Sequence, residues 1–198
     1  MVFHENKGCY MIIAFAGHAS VPSCEKVKQI IKESIRTLVR PDEVLTFYLG
    51  GYGDFDRIAL SACREMKNEY CAEVVYVTPY MNFNEQEKIR DMLKHKLCDA
   101  SLYPPIEHVP PRFAILKRNE WMMKNADVII AYVSHNFGGA YKSIQIARRN
   151  NKRIINTFSQ KSEAEAALTE HEEHFFKQQN CCVKNYCLYS PCHTASIL

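Results

Sequence analysis

Short apolar runs alternate with amphipathic stretches over most of the chain. In the amphipathic stretches, apolar residues recur every three or four positions. The apolar runs are typical of strands that are buried on both faces, and the three- to four-residue recurrence is typical of helices packed on a sheet. Their alternation therefore predicts an α/β fold: a Rossmann-like, doubly wound parallel sheet of about five strands with helices on both faces.

The predicted elements follow one another as strand and helix. The strands cover residues 10–17, 44–50, 73–79, 127–133 and 152–157. The helices cover residues 23–39, 55–68, 85–96, 112–125 and 140–150. The proline-rich stretch 103–112 is expected to be a loop, because proline cannot donate a ladder hydrogen bond.

Two parts of the chain differ in pattern. We expect residues 1–160 to form one Rossmann-like nucleotide-binding domain, because the strand–helix alternation is confined to them. Residues 162–179 are rich in alanine and glutamate and predict a surface helix. The remainder of the segment 161–198 has no period and predicts a poorly ordered tail that contains cysteines.

Composition narrows the class of protein. Of the 198 residues, 47% are hydrophobic and 24% are charged, as in ordinary globular proteins. The formal net charge of +3 suits an anionic small ligand and is too weak to indicate nucleic acid, so nucleic acid is not expected as a partner. The apolar run 10–17 is too short to span a membrane, and no signal-peptide cleavage pattern follows it. We expect a cytoplasmic protein without a membrane partner, and a homo-oligomer stays open.

The nine cysteines form no recognisable disulfide framework. Five of them are scattered through periodic segments without C-x-x-C spacing, which favours reduced, mostly buried thiols. Four tail cysteines and one histidine could surround zinc in principle, but their spacings lack the paired C-x-x-C knuckle. They are Cys181, Cys182, Cys187, Cys192 and His193. We therefore predict no metal site and no cofactor.

Small and polar residues follow the predicted strands where ligands bind in such folds. The carboxyl ends of parallel strands meet at one edge of the sheet, so the loops after them converge. Their glycine N–H groups and the N-termini of the helices that follow would hold a phosphate. Alternatively, the glycines only turn the chain and the aspartate only caps a helix. The candidate ligand-binding residues in these loops are Gly17, His18, Gly50, Gly51, Gly53, Asp54, Gly138 and Gly139.

Three side chains near these loops have two interpretations each. His18 either hydrogen-bonds a phosphate or ribose or is satisfied by the backbone of its own loop. Tyr52 and Tyr80 either stack on a base or pack in the fold. The basic cluster 147–153 either contacts nucleic acid or simply complements the C-terminus of its helix.

Four stretches in a fixed order resemble a known superfamily. They are IAFAGHAS, GGYGDFDRIAL, RNEWMMKNADVIIAYV and GGAYKSIQIARRNNKRIIN, which together extend over about residues 10–157. The chain is similar to the SLOG superfamily of Rossmann-like proteins, named for the SMF/DprA and LOG families, and most similar to its YpsA-related branch. The resemblance implies a Rossmann-like domain that binds nucleotides or nucleotide-derived molecules at the strand ends. The YpsA-related branch usually has an arginine after its Gly-His, where this chain has Ala19.

The catalytic branch of that superfamily, the LOG-type phosphoribohydrolases, cleaves the bond between base and ribose. It uses an arginine, whose position corresponds to Arg118, and a glutamate in a G-G-x-G-T-x-x-E loop. Lys142 or Ser143, depending on register, stands where this glutamate would be. Cleavage of a glycosidic bond needs a carboxylate beside the oxocarbenium-like centre. Turnover by that route therefore requires another carboxylate, for which Asp54, Asp56 and Glu120 are the candidates.

Taken together, these features predict a non-catalytic sensor or regulatory protein that binds a nucleotide or nucleotide-derived small molecule. Arg118 would supply charge-assisted hydrogen bonds to that ligand, and it is the one residue we would assign to catalysis if there were turnover. Two alternatives stay open. One is a hydrolase or transferase acting on a nucleotide N-glycosidic bond, and the other is a protein-interaction adaptor that uses the acidic helix at 162–179.

Overall fold

A computed structural model describes residues 10–40 and 42–158 of the chain. Within them, six strands form one sheet: β1 Tyr10–Gly17, β2 Val44–Leu49, β3 Ala72–Val77, β4 Ala100–Leu102, β5 Val128–Tyr132 and β6 Arg153–Asn156. All neighbouring strands pair in parallel, in the order β4-β3-β2-β1-β5-β6. The strand order reverses between β1 and β5, and ligands of open α/β sheets bind at the carboxyl side of such a reversal.

Helices cover both faces of the sheet. They are α1 Cys24–Leu38, α2 Asp54–Met66, α3 Phe83–Lys94, α4 Pro111–Asn125 and α5 Gly138–Arg149. The buried side chains of α1 and α2 form one apolar cluster with the sheet, and those of α4 and α5 form the other. This division follows from right-handed crossovers, which run in opposite directions on the two sides of β1.

The predicted fold class is confirmed, and within the described residues each predicted strand and helix is present with ends within two residues of its expected position. The strand that the sequence analysis missed is β4, which pairs with β3 through Val75 and Ala100. It has three residues, is at the edge of the sheet and has no fully buried member. A strand that short has no measurable periodicity, so its formation depends on pairing with β3.

Several predictions made from the sequence concern residues that the structure does not describe. The helix predicted for 162–179 and the cysteine-containing tail lie outside the described residues. Among the residues described, no helix is long and apolar enough to cross a membrane. The same part of the chain contains no cluster of three or more metal-ligating side chains.

The carboxyl end of β1 fits against α2 because residue 17 has no side chain. A Cβ atom on Gly17 would lie 2.2 Å from Cγ of Phe55, which is fully buried in the first turn of α2. Just beyond this contact, the N–H of Asp54 donates to the carbonyl oxygen of Ala19 at 2.8 Å. The loops after β1 and β2 are thereby held side by side.

Gly17→Ala tests this contact. The added methyl group must displace the Phe55 ring, and overpacking of this kind costs about 1–3 kcal/mol of unfolding free energy. Gly139→Ala is the matched control, because a Cβ atom there meets nothing within 4 Å and alanine favours a helix. We expect urea unfolding to show a destabilised Gly17→Ala variant and a Gly139→Ala variant at least as stable as the natural chain. Equal stability of the two variants would contradict the close packing at Gly17.

Candidate functional site

A cavity of about 220 Å³ lies at the carboxyl end of β1, where the strand order reverses. We call it the switch-point cavity. Its walls come from the end of β1 and the residues after it, the loop after β2, the start of α2, one side of α4 and the first turns of α5. The predicted ligand-binding residues that line it are Gly17, His18, Gly50, Arg118 and Gly139.

Arg118 is the largest fully buried side chain in the described part of the chain, with 1% of its surface exposed. It extends from α4 to the carboxyl ends of two strands. Its Nη1 donates to the carbonyl oxygens of Gly50 at 2.7 Å and Val77 at 2.6 Å. The space for the guanidinium exists because a Cβ atom on Gly50 would lie 2.7 Å from Nη1. Arg118 thus ties α4 to the loops after β2 and β3.

One hydrogen-bond donor of the Arg118 guanidinium has no acceptor among the described residues. Its Nε is buried and has no hydrogen-bond partner among the described residues. Desolvation lowers the pKa of Arg118, and the charge of Asp56 opposes that shift. Buried donors in native proteins almost always have an acceptor, so an unpaired one in the wall of a cavity calls for an oxygen atom from a ligand or a water.

Asp56 supplies a partly buried carboxylate to the same cavity. Its Oδ2 accepts a hydrogen bond from the N–H of Tyr52 at 2.7 Å. Burial raises the pKa of Asp56 to about 6, although the N–H of Tyr52 and the charge of Arg118 act in the opposite direction. The sequence analysis named Asp56 as a substitute acid but did not include it among the ligand-binding residues. Its place in the first turn of α2, after a glycine-rich loop, was the available signal.

The glycine-rich loop 50–54 is explained by contacts within the protein. Gly51 and Gly53 have φ angles of 74° and 94°. A Cβ atom on Gly51 would lie 2.4 Å from the ring of Tyr76, and one on Gly53 would lie 2.8 Å from Cα of Ala19. The N–H group of Tyr52 already donates to a carboxylate of α2, and that of Asp54 to a carbonyl oxygen. Ligand contact by Gly51, Gly53 and Asp54 stays a prediction, and these three residues line a different cavity, between α2 and α3.

The N-terminus of α5 differs from that of α2. Gly138 has a φ of 86°, and a Cβ atom on Gly138 or Gly139 would meet nothing within 4 Å. The first turn of α5 has no acidic residue and no side-chain cap, whereas the first turn of α2 carries Asp54 and Asp56. The partial positive charge of a helix N-terminus is therefore compensated in α2 and left open in α5. Gly139 lines the switch-point cavity, and Gly138 does not.

His18 belongs to a stack of three rings that the sequence analysis did not foresee. Its ring is parallel to that of His135, with centroids 3.7 Å apart, and Phe137 packs on His135 at 4.0 Å. Its Nε2 accepts the N–H of Ser134 at 3.0 Å, so the neutral tautomer carries its proton on Nδ1. Burial and the neighbouring His135 lower the pKa of His18. The ring residues between β5 and α5 were the signal for this stack.

The ring of Tyr52 has two cations near it. Nζ of Lys88 is 5.1 Å from its ring centroid, and Cζ of Arg118 is 5.3 Å from it. Beside it, the hydroxyl of Tyr76 donates to Glu85 at 2.7 Å and accepts from Lys88 at 2.6 Å. Burial and Glu85 raise the pKa of Tyr76. Tyr52 therefore has internal cation–π partners, which is a packing role.

The other candidate side chains are placed less favourably for chemistry in this cavity. Asp54 pairs with Arg57 at 2.6 Å and lines the cavity between α2 and α3. Glu120 is bound by two lysines on the surface of α4 and does not line the switch-point cavity. Of the residues at the position of the LOG-type glutamate, Ser143 lines the cavity and Lys142 does not. Asp56 is thus the one candidate carboxylate in the described wall of the cavity.

The fold is similar to the folds of two solved DNA processing proteins. The chain is similar to DNA processing protein A (DprA) from Streptococcus pneumoniae, with 13% identity and a TM-score of 0.51, over 73% of this chain and 49% of that one. The fold is DprA-like. The chain is also similar to DNA processing protein A from Helicobacter pylori, with 15% identity and a TM-score of 0.48, over 73% of this chain and 63% of that one. The sequence matches no protein-family model and no curated protein.

The similarity to the Streptococcus pneumoniae structure shows the fold alone. The chain spans 49% of the length of the Streptococcus pneumoniae structure and 63% of the length of the Helicobacter pylori structure. At this low sequence identity, the comparison concerns the fold and nothing beyond it. The similarity to the YpsA-related branch stays a prediction.

One expectation about partners is wrong. The small net charge led us to expect that nucleic acid is not a partner, yet the similar structure from Streptococcus pneumoniae is that of a DNA processing protein. Net charge averages over the whole surface and carries no information on a local patch, so it could not exclude this class.

Asp56→Asn tests the electrostatics of the cavity. Because the pKa of Asp56 is raised to about 6, above roughly 3.9 in an unfolded chain, the folded state binds more protons between these pH values. The stability contributed by the protonated form is therefore complete below about pH 4 and is lost as the pH rises through 6. We expect the unfolding free energy of the natural chain to fall relative to that of the variant by up to about 3 kcal/mol over this window. Urea unfolding at several pH values measures it, and a constant difference would contradict the assignment.

Proposed function

We propose that the switch-point cavity binds a nucleotide or a nucleotide-derived small molecule, and that the protein acts as a non-catalytic sensor or regulatory component. The observation that carries the proposal is the buried Nε of Arg118, which has no acceptor among the described residues and belongs to a side chain that lines this cavity. A buried donor without a partner costs about 1–3 kcal/mol. A phosphate oxygen at Nε would recover that cost and would also neutralise the guanidinium.

The N-terminus of α5 supports the same class of ligand. Its first turn offers uncapped N–H groups, no acidic side chain and free space around Gly139, which lines the same cavity as the buried arginine side chain. These features suit an anionic oxygen. His18, with its proton on Nδ1, adds a neutral donor for a phosphate or ribose oxygen. Three kinds of donor thus come from three separate elements.

We propose binding without turnover because the first turns of α5 lack the catalytic glutamate. The position of the LOG-type glutamate is taken by Lys142 or Ser143, and neither can stabilise an oxocarbenium-like centre. The finer similarity to the YpsA-related branch and a cytoplasmic location are part of this proposal.

Gly139→Asp tests the proposal without removing a buried side chain. An aspartate in the first turn of α5 should keep or raise the stability of the helix, since it complements the helix dipole, yet it would repel a bound phosphate. Gly139→Asn is the matched uncharged control. We expect mono- and dinucleotides to raise the melting temperature of the natural chain and of the asparagine variant, with affinity about tenfold or more lower in the aspartate variant.

The ligand panel includes a single-stranded oligonucleotide beside the free nucleotides. A melting-temperature shift with the oligonucleotide alone would overturn the small-molecule assignment. The absence of a shift with any member of the panel, or an equal shift in both variants, would overturn the proposed site.

The location and the raised pKa of Asp56 support a second candidate function, which is cleavage of a nucleotide N-glycosidic bond. A carboxyl group with a pKa of about 6 can donate or accept a proton near neutral pH, and Asp56 lines the cavity with Arg118. Incubation of the purified protein with nucleoside monophosphates, followed by chromatography for free base, tests it. This candidate requires base release that is lost in Asp56→Asn and retained in Asp91→Asn, an exposed aspartate of α3 that lines neither cavity. If no base is released by the natural chain, the non-catalytic reading stands.

A further inference from the structure

A second cavity, of about 450 Å³, lies between α2 and α3 over strands β2 and β3. We call it the α2–α3 cavity. Its lining combines apolar side chains with four charged ones, which are Asp54, Asp56, Arg57 and Lys88. The apolar side chains are Leu49, Leu60, Val74, Met92 and Leu97. We propose that the α2–α3 cavity binds a small apolar carboxylate, with its apolar body among these side chains and its head group at Lys88.

The cavity exists because α3 does not pack closely on the sheet. Glu85 is the one fully buried residue of α3, whereas α2 buries six residues, nearly all apolar. Ile89 and Met92 reach the apolar cluster but stay partly exposed. Protein interiors normally close gaps larger than a water molecule, and a volume of this size is within the range of small-molecule sites. An apolar molecule in the gap would complete the packing of α3.

The charges around the cavity favour an anionic head group. The two carboxylates there are already engaged, since Asp54 pairs with Arg57 at 2.6 Å and Asp56 accepts the N–H of Tyr52 at 2.7 Å. The ammonium of Lys88 has three donors, one of which goes to the hydroxyl of Tyr76.

Lys88 also has an acidic neighbour, because its Nζ lies 3.6 Å from Oε1 of Glu85. That oxygen is shared with the hydroxyls of Tyr76 and Thr78, at 2.7 and 3.1 Å. The side chain of Lys88 is 41% exposed, so its remaining donor capacity is open to solvent. A carboxylate at the opening would gain a charge-assisted hydrogen bond, whereas a cationic head would have to break an existing pair.

The α2–α3 cavity and the switch-point cavity adjoin but have nearly separate walls. Asp56 is the one residue that lines both cavities. Arg118 and the N-terminus of α5, on which the proposed function depends, do not line the α2–α3 cavity. Binding at one site can therefore be tested while the other is empty.

Titration of the full chain with octanoate, followed by calorimetry, tests the apolar body of the site. Met92→Trp fills the cavity from α3, and Leu93→Trp places the same side chain on the exposed side of the same helix. We expect saturable binding to the natural chain and to Leu93→Trp, and none to Met92→Trp. Circular dichroism of each variant checks that it is folded. Absence of saturable binding to the natural chain, or equal binding to the two variants, would overturn the proposal.

Lys88→Met tests the head group, with Lys94→Met as the control on the same helix. We expect Lys88→Met to weaken octanoate binding about tenfold and to leave binding of uncharged octanol unchanged. Lys94→Met should change neither, because Lys94 does not line the cavity. Tighter binding of octylamine than of octanoate to the natural chain, or equal loss for octanoate and octanol in Lys88→Met, would overturn the assignment of an anionic head.

Discussion

The buried guanidinium of Arg118 connects the parts of the structure from which the site is built. It belongs to α4 on one face of the sheet, and its Nη1 holds the carbonyl oxygens at the ends of β2 and β3. Burial of an arginine is costly unless its donors and its charge are matched. Two carbonyl oxygens, the charge of Asp56 and the ring of Tyr52 supply most of that match, and Nε is the buried donor at which it remains incomplete.

The two glycine-rich turns look alike in sequence and differ in their electrostatics. In the turn before α2, the protein supplies its own anions, because Asp54 and Asp56 occupy the first turn of the helix. In the turn before α5, the corresponding positions carry no charge, and the space around Gly139 is open. A helix N-terminus attracts an external anion only where the chain has not already compensated its dipole. The difference follows from the side chains one and three residues after Gly53.

The order of strands and helices could be predicted from the sequence because each element has its own apolar period. The short strand β4 could not, since three residues have no period and form a strand through pairing with β3. Among the candidate site residues, Arg118 was named through its resemblance to a family motif, and Gly139 was named from its place between a predicted strand and a predicted helix. The stack of His18, His135 and Phe137 could not be predicted, because it joins loops 116 residues apart in the chain, as the hydrogen bond from Ser134 to His18 shows.

Whether a glycine serves a ligand or the protein itself depends on what occupies the space where its Cβ would be. At Gly17, Gly50 and Gly51 that space is taken by Phe55, Arg118 and Tyr76, all of them distant in sequence. Each of these glycines is therefore required by packing, and ligand binding is not needed to account for it. At Gly139 the space is empty, and packing gives no reason for a residue that weakens a helix. Among the described glycines, the physical case for a ligand is consequently strongest at Gly139, where the fold alone does not explain the residue.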